Sequence, residues 1–455
     1  MELTATQKID AQDVHDVLDG HILADGMQMV LDLEKSQGIY LHDQLTDSAY
    51  VDFFGFYASN ALGMNHPKLT QDEAFRERLM AAALNKVANS DVYTPLMARF
   101  VDTFSRVGIP EYLPYAFFVS GGALAVENTL KAAFDWKVRK NFQKGYRHEK
   151  GGKVLHFDQA FHGRSGYTLS LTNTADPRKT QYFPKFDWPR IHNPKMVFPL
   201  TEDNLADLER REELALAQAK QYFQTHRDEI ACVIVEPIQG EGGDNHFRAS
   251  FLQAIKDLAH ENDALLIFDE VQTGVGLTGA FWAHQAIGVE PDLLAFGKKT
   301  QVCGILAGRK LDEVDGHVFQ TSSRINSTWG GNLVDMVRFD RILEVIEEDG
   351  LVEHAAKMGE YLQERLHALA ERFPSLGNVR GLGLFCAFDA PCPGYRNRLL
   401  KECFDRKLLI LGCGQKSIRF RSPLTITKEG LDEGLGILTQ ALEAVEAIPN
   451  PHAVG

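Results

Sequence analysis

Two adjacent lysines, Lys298 and Lys299, follow directly after an apolar run, "LLAF" (293–296), that has the character of a buried strand. Burial penalises the charged form of a lysine and so lowers its pKa. The neutral amine that results is a nucleophile able to bond covalently to an aldehyde or a ketone. Surface lysines also occur in pairs, so further residues are needed before such chemistry can be inferred.

A carboxylate stands at the end of a second apolar run. Asp269 closes "ALLIF" (264–268), and a charge in that position is costly unless it is paired. Two partners are open to it: the protonated ring nitrogen of a heterocycle, or a core arginine in an ordinary salt bridge.

Two further segments place candidate groups after predicted strands. "FFVSGGALAVENTL" (117–130) has the pattern strand, glycine turn, helix, and the N–H groups at the start of such a helix form an anion site. The alternative for this segment is a plain tight turn. "AFHGR" (160–164) places Phe161, His162 and Arg164 around a glycine. Taken singly, Phe161 is typical of a core residue and His162 of a structural hydrogen-bonding residue.

The four segments together supply an amine, a carboxylate for a pyridinium nitrogen, a phosphate cradle and an aromatic plate. Pyridoxal phosphate requires this combination. The combination is far more specific than any one of its parts. It therefore predicts a pyridoxal-phosphate site.

Short apolar runs are predicted to form the strands that position these groups. Helical patterns separate several of them, as in 250–264, and continuous apolarity without alternation is typical of a mostly parallel sheet. We therefore expect an α/β fold of the doubly wound kind, with its ligand at the carboxyl ends of the strands. The predicted strands lie within 115–122, 153–158, 230–237, 264–270, 292–298 and 304–310.

The flanking parts of the chain have a different pattern. Residues 334–372 are predicted to be a long amphipathic helix with a break near Asp349-Gly350, and "GLFCAFD" and "SIRFRSPLTI" are predicted to be short strands beyond it. We expect an N-terminal segment of a small domain (1–70), a large cofactor-binding domain (71–333) and a C-terminal small domain (334–455).

Composition limits the classes of partner. The 455 residues carry a formal net charge of −14, which disfavours nucleic acid and anionic membranes as partners. The six cysteines include no C-x-x-C pair, unlike a zinc site or a disulfide framework. No apolar stretch has the length of a membrane span, and the acidic N-terminus lacks the apolar core of a secretory signal. We expect a cytoplasmic protein.

Beyond these groups, the sequence resembles the class III pyridoxal-phosphate aminotransferases over nearly its whole length, from "GMNHP" (63–67) to "IRFRSPL" (418–424). The motifs that carry the resemblance are "AFHGR", "EPIQGEGG", "IFDEVQTG", "PDLLAFGKK" and "NSTWGGN", in the family's order. The resemblance implies the fold type I architecture, with a mostly parallel central sheet and a smaller α+β domain.

The resemblance also implies roles for individual residues. Asp269 would pair with the pyridine nitrogen, Phe161 and Val271 would cover the two faces of the ring, and Gln272 would bond the phenolic oxygen. The backbone of Gly122 and Ala123 would bind the phosphate. Thr328 would reach the phosphate in a neighbouring subunit, which implies a homodimer with shared active sites. The family pattern K-x-x-x-[small]-G selects Lys299 as the cofactor lysine, because Cys303 and Gly304 follow it at the required spacing.

Several segments, among them "FDWPRIHNP" (186–194) and "EGGDNHF" (241–247), are similar to members that act on the ε-amino group of L-lysine with 2-oxoglutarate as acceptor. Arg164 would then bind the carboxylate remote from the reacting carbon, and Arg419 the α-carboxylate of the keto acid. Glu241 would pair with Arg419 during the lysine half-reaction, or it only caps a loop. Asn326 would touch substrate or only shape a turn. Arg421 faces the same side of a regular strand as Arg419, so only the motif register selects between them.

Three other activities remain open at this point. Ornithine or 4-aminobutyrate could be the amino donor in place of lysine. An aminomutase on the same fold would need no external keto acid. A binding protein without turnover would have no need of the amine.

Overall fold

The structure, a computed structural model, describes residues 9–448. Its strands are β1 (Leu31–Gln37), β2 (Tyr40–Asp43), β3 (Ser48–Asp52), β4 (Tyr115–Val119), β5 (Lys153–Phe157), β6 (Arg190–Ile191), β7 (Ile230–Val235), β8 (Ile238–Gln239), β9 (Asn245–His246), β10 (Leu265–Asp269), β11 (Leu293–Phe296), β12 (Cys303–Ala307), β13 (Gly377–Leu382), β14 (Phe385–Asp389), β15 (Leu408–Leu409), β16 (Leu411–Cys413) and β17 (Ser417–Phe420).

The helices are α1 (Val14–Asp19), α2 (Gly55–Ala58), α3 (Pro67–Thr70), α4 (Glu73–Leu84), α5 (Pro95–Val107), α6 (Gly122–Gln143), α7 (Gly166–Leu171), α8 (Glu202–Thr225), α9 (Ala249–Glu261), α10 (Ala283–Ile287), α11 (Leu333–Glu348), α12 (Leu351–Arg372), α13 (Pro393–Asp405) and α14 (Lys428–Glu446). Short 3₁₀ turns occupy Ala11–Asp13, Pro177–Lys179, Lys298–Thr300 and Arg309–Glu313.

A seven-stranded sheet in the order β4-β12-β11-β10-β7-β5-β6 forms the centre of the molecule. The pairs from β11 through β10, β7 and β5 to β6 are all parallel, and β12 alone runs antiparallel to both of its neighbours. Every residue of β7, β10, β11 and β12 is buried, which explains their unbroken apolar sequences. The mostly parallel sheet and all six predicted strands are confirmed.

Helices cover both faces of this sheet, and the side chains of β10 divide between the two cores. Leu265 and Ile267 pack in the core beneath α6, whereas Leu266 and Phe268 pack in the core beneath α8 and α9. This alternation follows from the two-residue period of a strand. The chain emerges from both cores at Asp269, the carboxyl end of β10.

Two smaller sheets flank the central one. β13, β14, β17 and β16 form an antiparallel sheet, and β15 pairs in parallel with β3, so the early and late parts of the chain share a sheet. The predicted helix break is confirmed, because α11 ends at Glu348 and α12 begins at Leu351 after Gly350 with φ +58°. The division into three segments at residues 70 and 333 stays a prediction.

The four residues of α2 all have left-handed backbone dihedrals, with φ of +52° at Gly55, +49° at Phe56, +59° at Tyr57 and +72° at Ala58. Such dihedrals are costly for residues with a Cβ and persist only where the surroundings impose them. The Asp52 carboxylate accepts hydrogen bonds from the N–H groups of Phe54 (2.8 Å) and Gly55 (2.7 Å) at the start of this turn. The carbonyl of Ala58, the last residue of this left-handed turn, accepts a hydrogen bond from Lys299 Nζ.

Among the helices that the structure describes, none is long and apolar enough to cross a membrane.

Candidate active site

A cavity of about 230 Å³ opens where the carboxyl ends of β7, β10 and β11 meet the N-terminus of α6. This is the edge of the sheet at which doubly wound folds bind their ligands. Seven predicted site residues line it: Gly122, Ala123, Phe161, Glu241, Asp269, Val271 and Gln272. His162, Glu236 and Lys298 line it as well.

Asp269, the last residue of β10, is 6% exposed. Its Oδ2 lies 2.8 Å from His162 Nδ1, and its Oδ1 accepts a hydrogen bond from the Val271 N–H at 3.1 Å. Within residues 9–448 no arginine pairs with it, so the core salt bridge that the sequence left open is not formed. The His162 contact fixes the direction of the carboxylate beside the cavity.

The N-terminus of α6 provides the predicted anion cradle. Gly121 precedes the helix with φ +110°, and the first helical hydrogen bond is donated by the Ala125 N–H to the Gly121 carbonyl at 3.0 Å. The preceding N–H groups, including those of Gly122 and Ala123, therefore have no partner within the helix. Their partial positive charge and the helix dipole favour an anion at this end of the cavity.

Gln272 is oriented by a neighbour outside the cavity. Its Oε1 accepts hydrogen bonds from Arg421 Nη2 (3.0 Å) and Nε (3.2 Å). Since the amide oxygen is engaged in this way, the amide N–H₂ is the group available to the cavity. Gln272 can thus donate to an oxygen of a bound ligand, as the resemblance implied.

Of the two lysines, Lys298 lines the cavity and Lys299 does not. Lys299 is 1% exposed, and its Nζ donates a hydrogen bond to the Ala58 carbonyl at 2.7 Å, at the end of the left-handed turn. The Lys298 amine makes no hydrogen bond or ion pair within the described part of the chain, and its residue has φ +55°. The structure therefore does not bring Lys299 into the site, contrary to the expectation from the sequence pattern.

Burial lowers the pKa of both amines, so it does not distinguish them. The pKa of Lys298 falls to about 8, first because of burial and then because of the positive charges of Arg419 and Arg421. The pKa of Lys299 lies well below its ordinary value for the same main reason. What distinguishes the two is placement: Lys298 lines the cavity, whereas the Lys299 amine is bonded to the Ala58 carbonyl.

The structure also separates the two candidate arginines on β17 and the loop after it. Arg421 forms a bidentate pair with Asp244, with Nη1 2.9 Å from Oδ2, and its guanidinium lies 3.5 Å from the Phe385 ring centroid. Arg419 is 2% exposed. Among residues 9–448 it bonds only Glu241, through Nη2 at 2.9 Å, and its Nε and Nη1 are buried without partners there. Arg419 is thus the one of the pair with capacity for a carboxylate.

Besides Lys299 and Arg419, three predicted residues are absent from the cavity lining. Arg164 is exposed, although its neighbour Gly163 lines the cavity. Asn326 and Thr328 are also exposed, in a loop whose carbonyl groups at Ser327 and Thr328 accept from the Ser90 hydroxyl. Their roles toward substrate and phosphate stay predictions.

Glu236 is a cavity residue that the sequence reasoning missed. Its two oxygens accept from the N–H groups of Phe161 (2.9 Å) and Gly240 (3.0 Å), and burial raises its pKa to about 7. It follows β7 directly, as Asp269 closes β10. A carboxylate after the run "IACVIV" was therefore the signal that could have found it.

Comparison with known proteins identifies the class. Residues 22–442 match the family model described as aminotransferase class-III, and the chain belongs to this family. It is 54% identical over 433 residues to the L-lysine-epsilon aminotransferase of Mycobacterium tuberculosis, covering 95% of this chain and 96% of that protein. It is 52% identical over 435 residues to the L-lysine-epsilon aminotransferase of Amycolatopsis lactamdurans, with coverage of 95% and 96%.

A solved structure, lysine aminotransferase from M. tuberculosis in the internal aldimine form, matches with a TM-score of 0.93 at 54% identity, over 96% of this chain and 100% of that one. The fold type I architecture and the cofactor, pyridoxal phosphate, are thereby confirmed. The cavity fits this cofactor on its own chemistry. It combines unpartnered helix N–H groups for a phosphate, the Asp269 carboxylate for a ring N–H, the Gln272 amide for the phenolic oxygen and a free amine.

Proposed function

We propose that the protein transfers the ε-amino group of L-lysine to 2-oxoglutarate, giving 2-aminoadipate 6-semialdehyde and L-glutamate. The identity of 54% over nearly the whole chain to an L-lysine-epsilon aminotransferase supports lysine as the donor. The observation that carries the use of two different substrates is the Arg419–Glu241 pair at 2.9 Å beside the cavity.

Bound pyridoxal phosphate supplies an aldehyde that accepts the amino group and a protonated ring that stabilises negative charge at the reacting carbon. Gly122 and Ala123 would hold its phosphate, and Asp269 its ring N–H. We assign the covalent attachment to Lys298 in place of Lys299, because Lys298 lines the cavity whereas the Lys299 amine is bonded to the Ala58 carbonyl.

Lys298 is also the base in this proposal. Its pKa of about 8 leaves an appreciable fraction of the amine neutral at physiological pH, so Nζ can take the proton from the ε-carbon of lysine and return it later. His162 keeps the Asp269 carboxylate aimed into the cavity throughout. Glu236 holds the backbone at Phe161 and Gly240 in place.

Arg419 and Glu241 adapt the site to the two substrates. Lysine brings no carboxylate near its reacting carbon, so Glu241 neutralises Arg419 in that half-reaction. The keto acid brings an α-carboxylate, which would take the free Nε and Nη1 of Arg419 and displace Glu241. Arg164 would bind the remote carboxylate of either substrate from the cavity mouth.

The exposed loop with Asn326 and Thr328 supports a homodimer in which this loop completes the neighbour's site. In the single chain neither residue lines the cavity. The cytoplasmic location also stays a prediction.

The first experiment follows the visible absorption of the bound cofactor. L-Lysine alone should decrease the band, and 2-oxoglutarate should restore it. A decrease with ornithine or 4-aminobutyrate only would refute the donor assignment but not the class. Restoration without any keto acid would favour an aminomutase. In Glu241→Gln, ordinary α-amino donors should be discriminated against less strongly than in the wild type.

A further inference from the structure

Glu241 is held by two cations. Its Oε2 lies 2.9 Å from Arg419 Nη2, and its Oε1 lies 2.6 Å from Lys179 Nζ. The three side chains are largely withdrawn from solvent, with exposures of 26% for Glu241, 2% for Arg419 and 15% for Lys179.

Lys179 reaches this position from a separate part of the chain. It ends the 3₁₀ turn Pro177–Lys179, in the connection between α7 and β6, and its Nζ lies 5.6 Å from the centroid of the Phe161 ring. The ammonium group therefore stands beside a residue that lines the cavity. The loop around Lys179 is otherwise exposed, and binding Glu241 restricts the conformations of the Lys179 side chain.

The balance of charge differs between the two half-reactions. With lysine as substrate, two cations face the single carboxylate of Glu241. When the keto acid adds its α-carboxylate, two cations face two carboxylates. Without Lys179 the second state would hold one cation against two carboxylates, and a partly buried carboxylate without a partner is costly.

We propose that Lys179 is a positioning residue for Glu241, which keeps this carboxylate paired when the keto acid takes Arg419. The inference rests on the proposed function and deepens it. Lys179 selectively favours the binding of dicarboxylate acceptors and contributes little to the binding of lysine. Glu241 then keeps its Lys179 contact when it releases Arg419, in place of moving out to solvent.

The test uses the holoenzyme and the variants Lys179→Met, Lys179→Arg and Lys185→Met. Lys185 is the matched control, because it lies in the same loop, is exposed and, within the part of the chain that the structure describes, donates only to the carbonyls of Thr180 and Phe183. Calorimetry measures the Kd of glutarate, a dicarboxylate that cannot react. Rapid mixing measures each half-reaction separately.

In Lys179→Met, the Kd for glutarate and the Michaelis constant for the keto acid should rise roughly 10- to 100-fold, the range expected for one charged hydrogen bond. The lysine half-reaction should change less than about threefold, Lys179→Arg should restore most of the loss, and Lys185→Met should resemble the wild type. In a Glu241→Gln background, Lys179→Met should have little further effect, because the two residues act as one unit.

Equal losses in both half-reactions, or no loss in either, would overturn the inference. A full Lys179→Met effect that persists beside Glu241→Gln would also overturn it, since Lys179 would then bind the keto acid directly. These results leave the proposed function intact if the wild type still responds to lysine and 2-oxoglutarate. A wild type that responds to neither overturns both.

Discussion

Single substitutions of Lys298 and Lys299 distinguish the roles of two adjacent buried amines that point in different directions. With a pKa of about 8, about 9% of the Lys298 amine is neutral at pH 7, against about 0.03% for an ordinary lysine. On the proposal that Lys298 is the base and the attachment point, Lys298→Ala should lower kcat by about 100- to 10,000-fold. Binding of pyridoxal phosphate should weaken as well.

Lys299→Met is expected to act on stability. It removes the donor to the Ala58 carbonyl at 2.7 Å, and leaving a buried carbonyl unpartnered costs about 1–3 kcal/mol, offset in part because a buried amine is also removed. The activity of the folded protein should stay within about tenfold of the wild type, with the loss arising from displacement of the left-handed turn. Denaturant unfolding measures the change in stability.

The lysine that carries the cofactor can be identified directly. Borohydride reduction fixes the cofactor to its lysine, and mass spectrometry of the proteolytic fragments then locates the modified residue. A label on Lys298 in the wild type, and on neither lysine in Lys298→Ala, is expected. A label on Lys299, or full activity in Lys298→Ala, would refute the assignment made from the cavity geometry.

Three further predictions concern Lys298 and the left-handed turn Gly55–Ala58. The rate at which the apoprotein takes up pyridoxal phosphate should rise with pH through about 8, because the neutral Lys298 amine is the nucleophile; a flat profile would contradict this. Burial raises the pKa of Asp52 to about 6, so folding takes up a proton between about pH 4 and 6 and this group adds stability as pH falls. Asp52→Asn should therefore flatten that part of the curve of unfolding free energy against pH, and an unaltered curve would contradict the shift. Gly55→Ala should destabilise by more than about 2 kcal/mol, since φ is +52° and the new Cβ would lie 2.0 Å from the Arg421 carbonyl oxygen. Gly436→Ala, where nothing lies within 4 Å, is the matched control and should be neutral or slightly stabilising in thermal unfolding.

The sequence was most informative where one physical rule acts over a whole element. Strands buried on both faces must be apolar throughout, so β7, β10, β11 and β12 were visible as unbroken runs. A charge at the end of such a run needs a specific reason, which directed attention to Asp269. The same rule identifies Glu236, because its carboxylate follows the buried strand β7.

Counting residues along the sequence could not determine which side chain points into the cavity. The pattern that selected Lys299 counts residues to Gly304, but Lys298 is the residue that lines the cavity and the Lys299 amine is bonded to the Ala58 carbonyl. Arg419 lies on β17 and Arg421 just after it, and their difference arises from Asp244, which is distant in sequence and pairs with Arg421. Contacts between distant segments decide both cases, and local sequence does not encode them.

The left-handed turn Gly55–Ala58 has a consequence for the order in which the site assembles. Its terminal carbonyl is bonded by Lys299, which lies 241 residues further along the chain, and the Phe53 carbonyl just before the turn accepts from the Arg421 N–H. During synthesis the early segment emerges long before either partner exists, and contacts of such separation close late. We expect the nascent chain to hold residues 53–59 in another conformation until the last strands are made. The catalytic geometry would then be one of the final features acquired, and chains that end before Arg421 would lack it even where the central sheet has formed.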